Sequence, residues 1–204
     1  MSKTILSIET STNICSISLF KNKKLISIKE DMDRKHASLL APFVKDVFDV
    51  SDIKISDIDA IALSIGPGSY TGLRIGLSFA KGIAFSLNKP IIPVNTIESL
   101  NYSIKDLNYF IIIHAYKDFF YIQEYRNGEK FKDTLFEKIN FIGNDSIIYG
   151  YASNDFKKDI ITIKPSSKNI ANIAYTYYDE YICKNIKLIK PNYIKPIQFK
   201  KNIS

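Results

Sequence analysis

Apolar and polar residues alternate with a period of two through "TILSIET" (residues 4–10), "CSISLFKN" (15–22) and "KLISIKE" (24–30), which predicts three strands joined by polar turns. The period then lengthens. His36, Leu39, Leu40, Phe43, Val44, Val47 and Phe48 recur three and four apart, as on one face of a helix, and Pro42 either kinks that helix or marks its start. "DIDAIALSI" (57–65) is continuously apolar, as suits a strand in the middle of a sheet. A glycine-rich loop and a second helix follow, ending near Asn88 because Pro90 forbids continuation, and "PIIPVN" (90–95) gives another strand. Strand, helix and strand in that order imply a right-handed parallel crossover.

Beyond about Glu98 the texture changes. Twelve of the thirteen tyrosines lie at or after Tyr102, which marks a second lobe, and the expected division is 1–100 and 101–204. Strands are expected at "YFIIIHAY" (109–116), "FFYIQEYRNG" (119–128) and "SIIYGYA" (146–152), then a helix from Ser167 to Cys183 and an extended tail. No internal repeat is visible in the sequence.

The loop "SIGPGSYTGLRIGLSFAKGIAF" (64–85) holds five of the eight glycines and invites a phosphate-binding reading. Neither known spacing fits. Thr71 and Leu73 stand where a P-loop needs its second glycine, and Thr71 stands where a dinucleotide fingerprint needs its third. Free amides with Ser69 and Thr71 either hold an anion or simply cap the helix. In the helix, Leu73, Leu77, Ala80, Ala84 and Leu87 form one stripe, and Gly72, Gly76, Phe79 and Ile83 form a second. So wide an apolar arc requires two packing partners. Each helical glycine costs about 1 kcal/mol against alanine, so Gly72 and Gly76 are expected where a neighbour comes close. That neighbour is either an external helix or the 36–48 helix of the same chain.

The net charge is +7, and the segment from Ile182 to Ser204 holds six lysines and no acid, either a solvated tail or an RNA footprint. Two cysteines and two histidines supply neither a disulfide framework nor a metal site, and no cofactor or metal is expected. There is no membrane-length apolar run and no signal-like start, so a cytoplasmic protein is expected. "ETSTN" (9–13) sets a carboxylate beside hydroxyls in the first hairpin turn.

"ILSIETSTNICSISLF", "RKHASLLAPF", "DIDAIALSIGPGSYTGLRIGLSFAKGIAF" and "PIIPVNTIESL" resemble, in order and spacing, the N-terminal half of the TsaB (YeaZ) family. "PNYIK", ending in Lys195, is similar to that family's Pro-x-Tyr-Leu-Arg, whereas His114 and Tyr116 depart from its acidic-Ala-Arg segment. The resemblance implies an α/β, two-lobed fold of the actin, sugar kinase and Hsp70 class (ASKHA), each lobe a mixed β-sheet with packed helices. It also implies a subunit that is not itself catalytic. Its partner is the TsaD paralogue, which modifies tRNA to N6-threonylcarbamoyladenosine beside the anticodon; the TsaE ATPase joins the pair, and the chain alone forms a homodimer. tRNA contact is then indirect, and no membrane is involved. The implied partner surface is Leu39 and Phe43 with Gly72, Arg74, Gly76, Phe79 and Ile83, and Glu9, Thr10, Ser11 and Thr12 form a vestigial phosphate loop. The competing reading is a small ATP-dependent kinase or transferase using Glu9, Thr10 and Thr12.

Overall fold

The computed structural model describes residues 2–151 and 159–194. The three alternating segments form β1 (Thr4–Glu9), β2 (Cys15–Lys21) and β3 (Lys24–Asp31), an antiparallel meander with Ile8 opposite Ile17 and Ser16 opposite Glu30. Helix α1 (His36–Asp49) starts at His36 and runs through Pro42, so that proline is not its beginning. The apolar strand β4 (Ala60–Ser64) joins β1 in parallel, and β5 (Ile91–Val94) joins β4 in parallel. Between them runs α2 (Tyr70–Leu87). Ser69 Oγ caps its start by accepting the Gly72 amide, and Asn88 ends it in the left-handed conformation. The first sheet therefore has the order β3-β2-β1-β4-β5.

After a short helix α3 (Thr96–Asn101), a second sheet is built from β6 (Tyr109–Tyr116), β7 (Phe119–Arg126), β8 (Glu129–Lys138), β9 (Ile148–Tyr151) and β10 (Ile161–Thr162). Its order, β8-β7-β6-β9-β10, repeats the first sheet strand for strand, with an antiparallel meander followed by two parallel additions. The duplication is one of topology. Where the first lobe carries α1 and α2 between its strands, the second has, among the described residues, a single helical turn, Ile139–Phe141, between β8 and β9.

Both faces of the first sheet are covered. Leu6, Ile8, Ile17, Leu19, Ile61 and Leu63 pack under α1 and α2, meeting Leu40, Val44, Leu77 and Ala80. Ile5, Ala60, Ala62, Ile92 and Val94 face the other way onto Ile170, Ile173 and Ala174 of α4 (Ser167–Thr176). The expected helix over 167–183 is thus two pieces, α4 and a turn at Tyr178–Tyr181. It also belongs to the first lobe. Ser167 closes the return, its amide donating to Ser16 Oγ at 2.9 Å, so a boundary at residue 100 separates the two sheets but not the two ends of the chain.

Candidate functional site

The turn between β1 and β2 is folded inward. Glu9, Thr10 and Ser11 are fully buried and Thr12 is half-buried. Glu9 Oε1 accepts the Ser11 amide at 2.5 Å, while its Oε2 has no protein partner. Burial pushes this carboxyl above its ordinary value, against the opposing hydrogen bonds of Ser11 and Ser64. The Thr10 amide donates to Ser64 Oγ at 3.4 Å, the Ser11 carbonyl accepts the Ser69 amide at 2.6 Å, and His36 Nε2 donates to the Thr12 carbonyl at 2.9 Å. The amides of Thr10 and Ser11, which a phosphate loop would present outward, are therefore spent inside the protein.

The glycines explain how the turn fits there. A β-carbon on Gly68 would lie 2.2 Å from the Ser11 carbonyl oxygen, one on Gly72 2.1 Å from the Thr10 carbonyl oxygen, and one on Gly76 2.2 Å from Thr10 Oγ1. This corrects the expectation for Gly72 and Gly76. Both are buried, and the close neighbour they admit is the chain's own first turn, not an external helix. Gly82 is different: among the described residues a β-carbon there would meet nothing within 4 Å.

The surface of the α1–α2 pair holds the other expected contact residues. Leu39, Phe43, Phe79 and Ile83 are half-buried, resting on the core beside Ile75. Arg74 is exposed, but its guanidinium lies 4.0 Å over the Tyr70 ring and its Nε donates to the Tyr193 hydroxyl at 3.1 Å. Ser78, Gly82 and Phe85 continue the same outward stripe, and Phe85 is 83% exposed. From the sequence, Gly82 with Ile75 extends the second stripe of the helix without being counted among the contact residues, and Phe85 was missed. The signal was there, because residues 78, 82 and 85 lie opposite the buried stripe of Leu73, Leu77, Ala80 and Ala84.

Other chemistry is sparse among the described residues. No three His, Cys, Asp or Glu side chains cluster as metal ligands would. His114 Nε2 donates to the Lys117 carbonyl at 2.7 Å, and burial holds the Cys15 thiol up at about 12. Among the described residues no helix is long and apolar enough to cross a membrane. Lys195 lies outside the described residues.

An inward-folded first turn, two sheets of one topology and a helix pair open to solvent on one side define a two-lobed α/β protein. Residues 26–142 match the family described as TsaD, tRNA N6-adenosine threonylcarbamoyltransferase. The tRNA threonylcarbamoyladenosine biosynthesis protein TsaB of Buchnera aphidicola (subspecies Acyrthosiphon pisum) is 31% identical over 150 residues, 68% of this chain and 67% of that one. Its Escherichia coli namesake is 36% identical over 96 residues, spanning 47% of this chain and 42% of that protein. The tRNA N6-adenosine threonylcarbamoyltransferase of Clostridium perfringens is 44% identical over 71 residues, 35% of this chain and 21% of that enzyme. The solved structure of YeaZ from Pseudomonas aeruginosa superposes with a TM-score of 0.78 at 22% identity, covering 94% of this chain and all of that one. The chain belongs to the TsaB (YeaZ) family, whose named members act in tRNA threonylcarbamoyladenosine biosynthesis.

Proposed function

We propose that this chain is the non-catalytic partner of a TsaD-type threonylcarbamoyltransferase, docking through the outer face of α1 and α2. The observation that carries the proposal is the stripe Ser78, Gly82 and Phe85. An exposed glycine in an eighteen-residue helix costs about 1 kcal/mol, and among the described residues no atom lies within 4 Å of where its β-carbon would be. One turn away, Phe85 stands almost entirely in water. A bare helical position beside a protruding aromatic suits a crossing helix, with the ring as anchor and the glycine as the point of closest approach. Leu39, Phe43, Phe79 and Ile83 flank that point and supply apolar area.

The inward first turn supports the non-catalytic half of the reading. A phosphate approaching Ser11 would have to displace Glu9 from its amide and Ser69 from its carbonyl, both in the buried corner that Gly68, Gly72 and Gly76 keep closed. The TsaE ATPase and self-association of the chain belong to the same proposal, self-association using the same stripe when the transferase is absent. The test is reconstitution. The transferase is mixed with wild-type chain or with Phe85→Ser, and complex formation and threonylcarbamoylation of a tRNA transcript are both measured. Wild type should give a one-to-one complex and activity, and Phe85→Ser should need about 30-fold more chain for either while remaining folded. A transferase equally active without the chain would refute the proposal.

A further inference from the structure

Up to Ile194 the lysine-rich end of the chain is docked. The backbones of Cys183 and Ile91 pair, Ile189 is buried in the core, and the Ile189 carbonyl accepts Lys81 Nζ at 2.9 Å. Further along, the Asn192 amide donates to the Ile65 carbonyl at 2.6 Å, and the Tyr193 ring packs 5.3 Å from Tyr70. Residues 182–194 therefore form a strap along α2. Residues 64–94, which contain α2, also have no Asp or Glu. The fold joins two acid-free stretches, distant in sequence, into one surface bearing Arg74, Lys81, Lys89, Lys184, Lys187 and Lys190. Among the described residues no carboxylate lies within 4.0 Å of any of these six; Lys21, Lys23, Lys24 and other cations are also without an ion pair, but these six are the ones carried by the two acid-free stretches. Unneutralised like charges repel one another and reduce stability, so their grouping calls for an external anion. Lys184, Lys187 and Lys190 are exposed at intervals of three along the strap, with the Tyr70–Arg74–Tyr193 stack beside its far end.

We propose that the strap and the adjoining flank of α2 bind the phosphate backbone of RNA. The choice of RNA rests on the family's place in tRNA modification; Arg74 and Lys81 of α2 border the docking stripe as well, so the strap lysines Lys184, Lys187 and Lys190, which lie outside that stripe, are the ones that test it. Lysines repeated along a strip act as point charges suited to a polyanion, and aromatic rings among them are the usual accompaniment of nucleic-acid contact. A protein partner is instead met by an apolar centre with few lysines, which the strap carrying Lys184, Lys187 and Lys190 does not offer.

The experiment is fluorescence anisotropy of a labelled, unmodified tRNA transcript titrated with the full chain, alone and mixed with the transferase, at several salt concentrations. Wild type should bind with an affinity that falls linearly in log–log form as salt rises. The variant Lys184→Gln/Lys187→Gln/Lys190→Gln should lower the slope by about 2 to 3 and the affinity by about 100-fold near 0.1 M salt, since each phosphate contact contributes roughly 0.7–0.9 to the slope. Its thermal midpoint should be no lower than wild type, since three repelling charges are removed, and its transferase binding should match wild type. An RNA affinity and slope equal to wild type would overturn the proposal. So would a loss confined to the transferase, or to vesicles containing phosphatidylserine. If wild type binds no tRNA in either setting the RNA surface fails, while the Phe85→Ser reconstitution still decides helix docking separately.

Discussion

Replacing Gly72 with alanine adds one carbon, and its ideal position is 2.1 Å from the carbonyl oxygen of Thr10. Ordinary contact begins near 3.4 Å, so the helix and the first turn must part by more than 1 Å. The obstacle is backbone and cannot rotate away. It is also pinned, because the neighbouring Ser11 carbonyl accepts the Ser69 amide and the Thr12 carbonyl accepts from His36. Overpacking of this kind costs about 1–3 kcal/mol, and a rigid obstacle puts the site at the upper end. Alanine returns about 1 kcal/mol of helix propensity, which leaves a net loss of about 2 kcal/mol. For a chain of this size that lowers the thermal midpoint by roughly 4–8 °C. Gly82→Ala is the internal control: with open space around it, only the propensity gain remains, and the midpoint should rise by roughly 2–4 °C. Differential scanning calorimetry of both variants is the assay. A Gly72→Ala midpoint at or above wild type would refute the claim that α2's glycines seat the chain's own turn.

Two further substitutions probe the buried corner and the strap. Because burial raises the Glu9 carboxyl, the folded protein holds that proton more tightly than the unfolded chain, and stability falls as pH climbs from about 4.5 through the folded value. Glu9→Gln keeps the acceptor for Ser11 and removes the titration, so its midpoint relative to wild type should improve between pH 4 and pH 7; a difference that shrinks over that range would count against the burial argument. Ile189→Ala deletes the strap's buried anchor and should cost about 2–4 kcal/mol, with faster proteolysis near residues 184–190 by mass spectrometry. A variant as protease-resistant as wild type would mean that the strap is held elsewhere.

The pattern of apolar spacing made most of the first lobe legible, because β1 to β5 and α2 each have a period or a boundary residue that local physics dictates. The second lobe was less readable. β8, "EKFKDTLFEK", lies at a sheet edge with both faces largely in solvent, and its pairing with β7 shifts register between Ile122 and Glu124, which breaks the alternation. Lys132 adopts a positive φ of 59° within the same strand. α3 is six residues, too short to show a helical period. The duplicated topology was hidden because it lies in strand order, with no shared residues to reveal it.

The candidate site divides in the same way. Glycine spacing correctly signalled close approach to α2, but a missing side chain says only that room is needed, not which atoms fill it. Here they are Thr10 and Ser11, some sixty residues earlier. Likewise, the absence of acids around the last lysines was plain, while their alignment beside the acid-free α2 depends on the backbone pairing of Cys183 with Ile91 and on the burial of Ile189.

The central claim is that the open face of α2 is a docking surface for the transferase. Isothermal titration of the transferase with wild-type chain, Phe85→Ser and Gly82→Arg tests it most directly. Removing a protruding aromatic anchor, or placing a long side chain on the crossing point, should weaken binding by about 30-fold or more, corresponding to a hot spot of about 2 kcal/mol, with the Phe85→Ser midpoint close to wild type and the Gly82→Arg midpoint at or above it. Both variants binding as tightly as wild type would contradict the account.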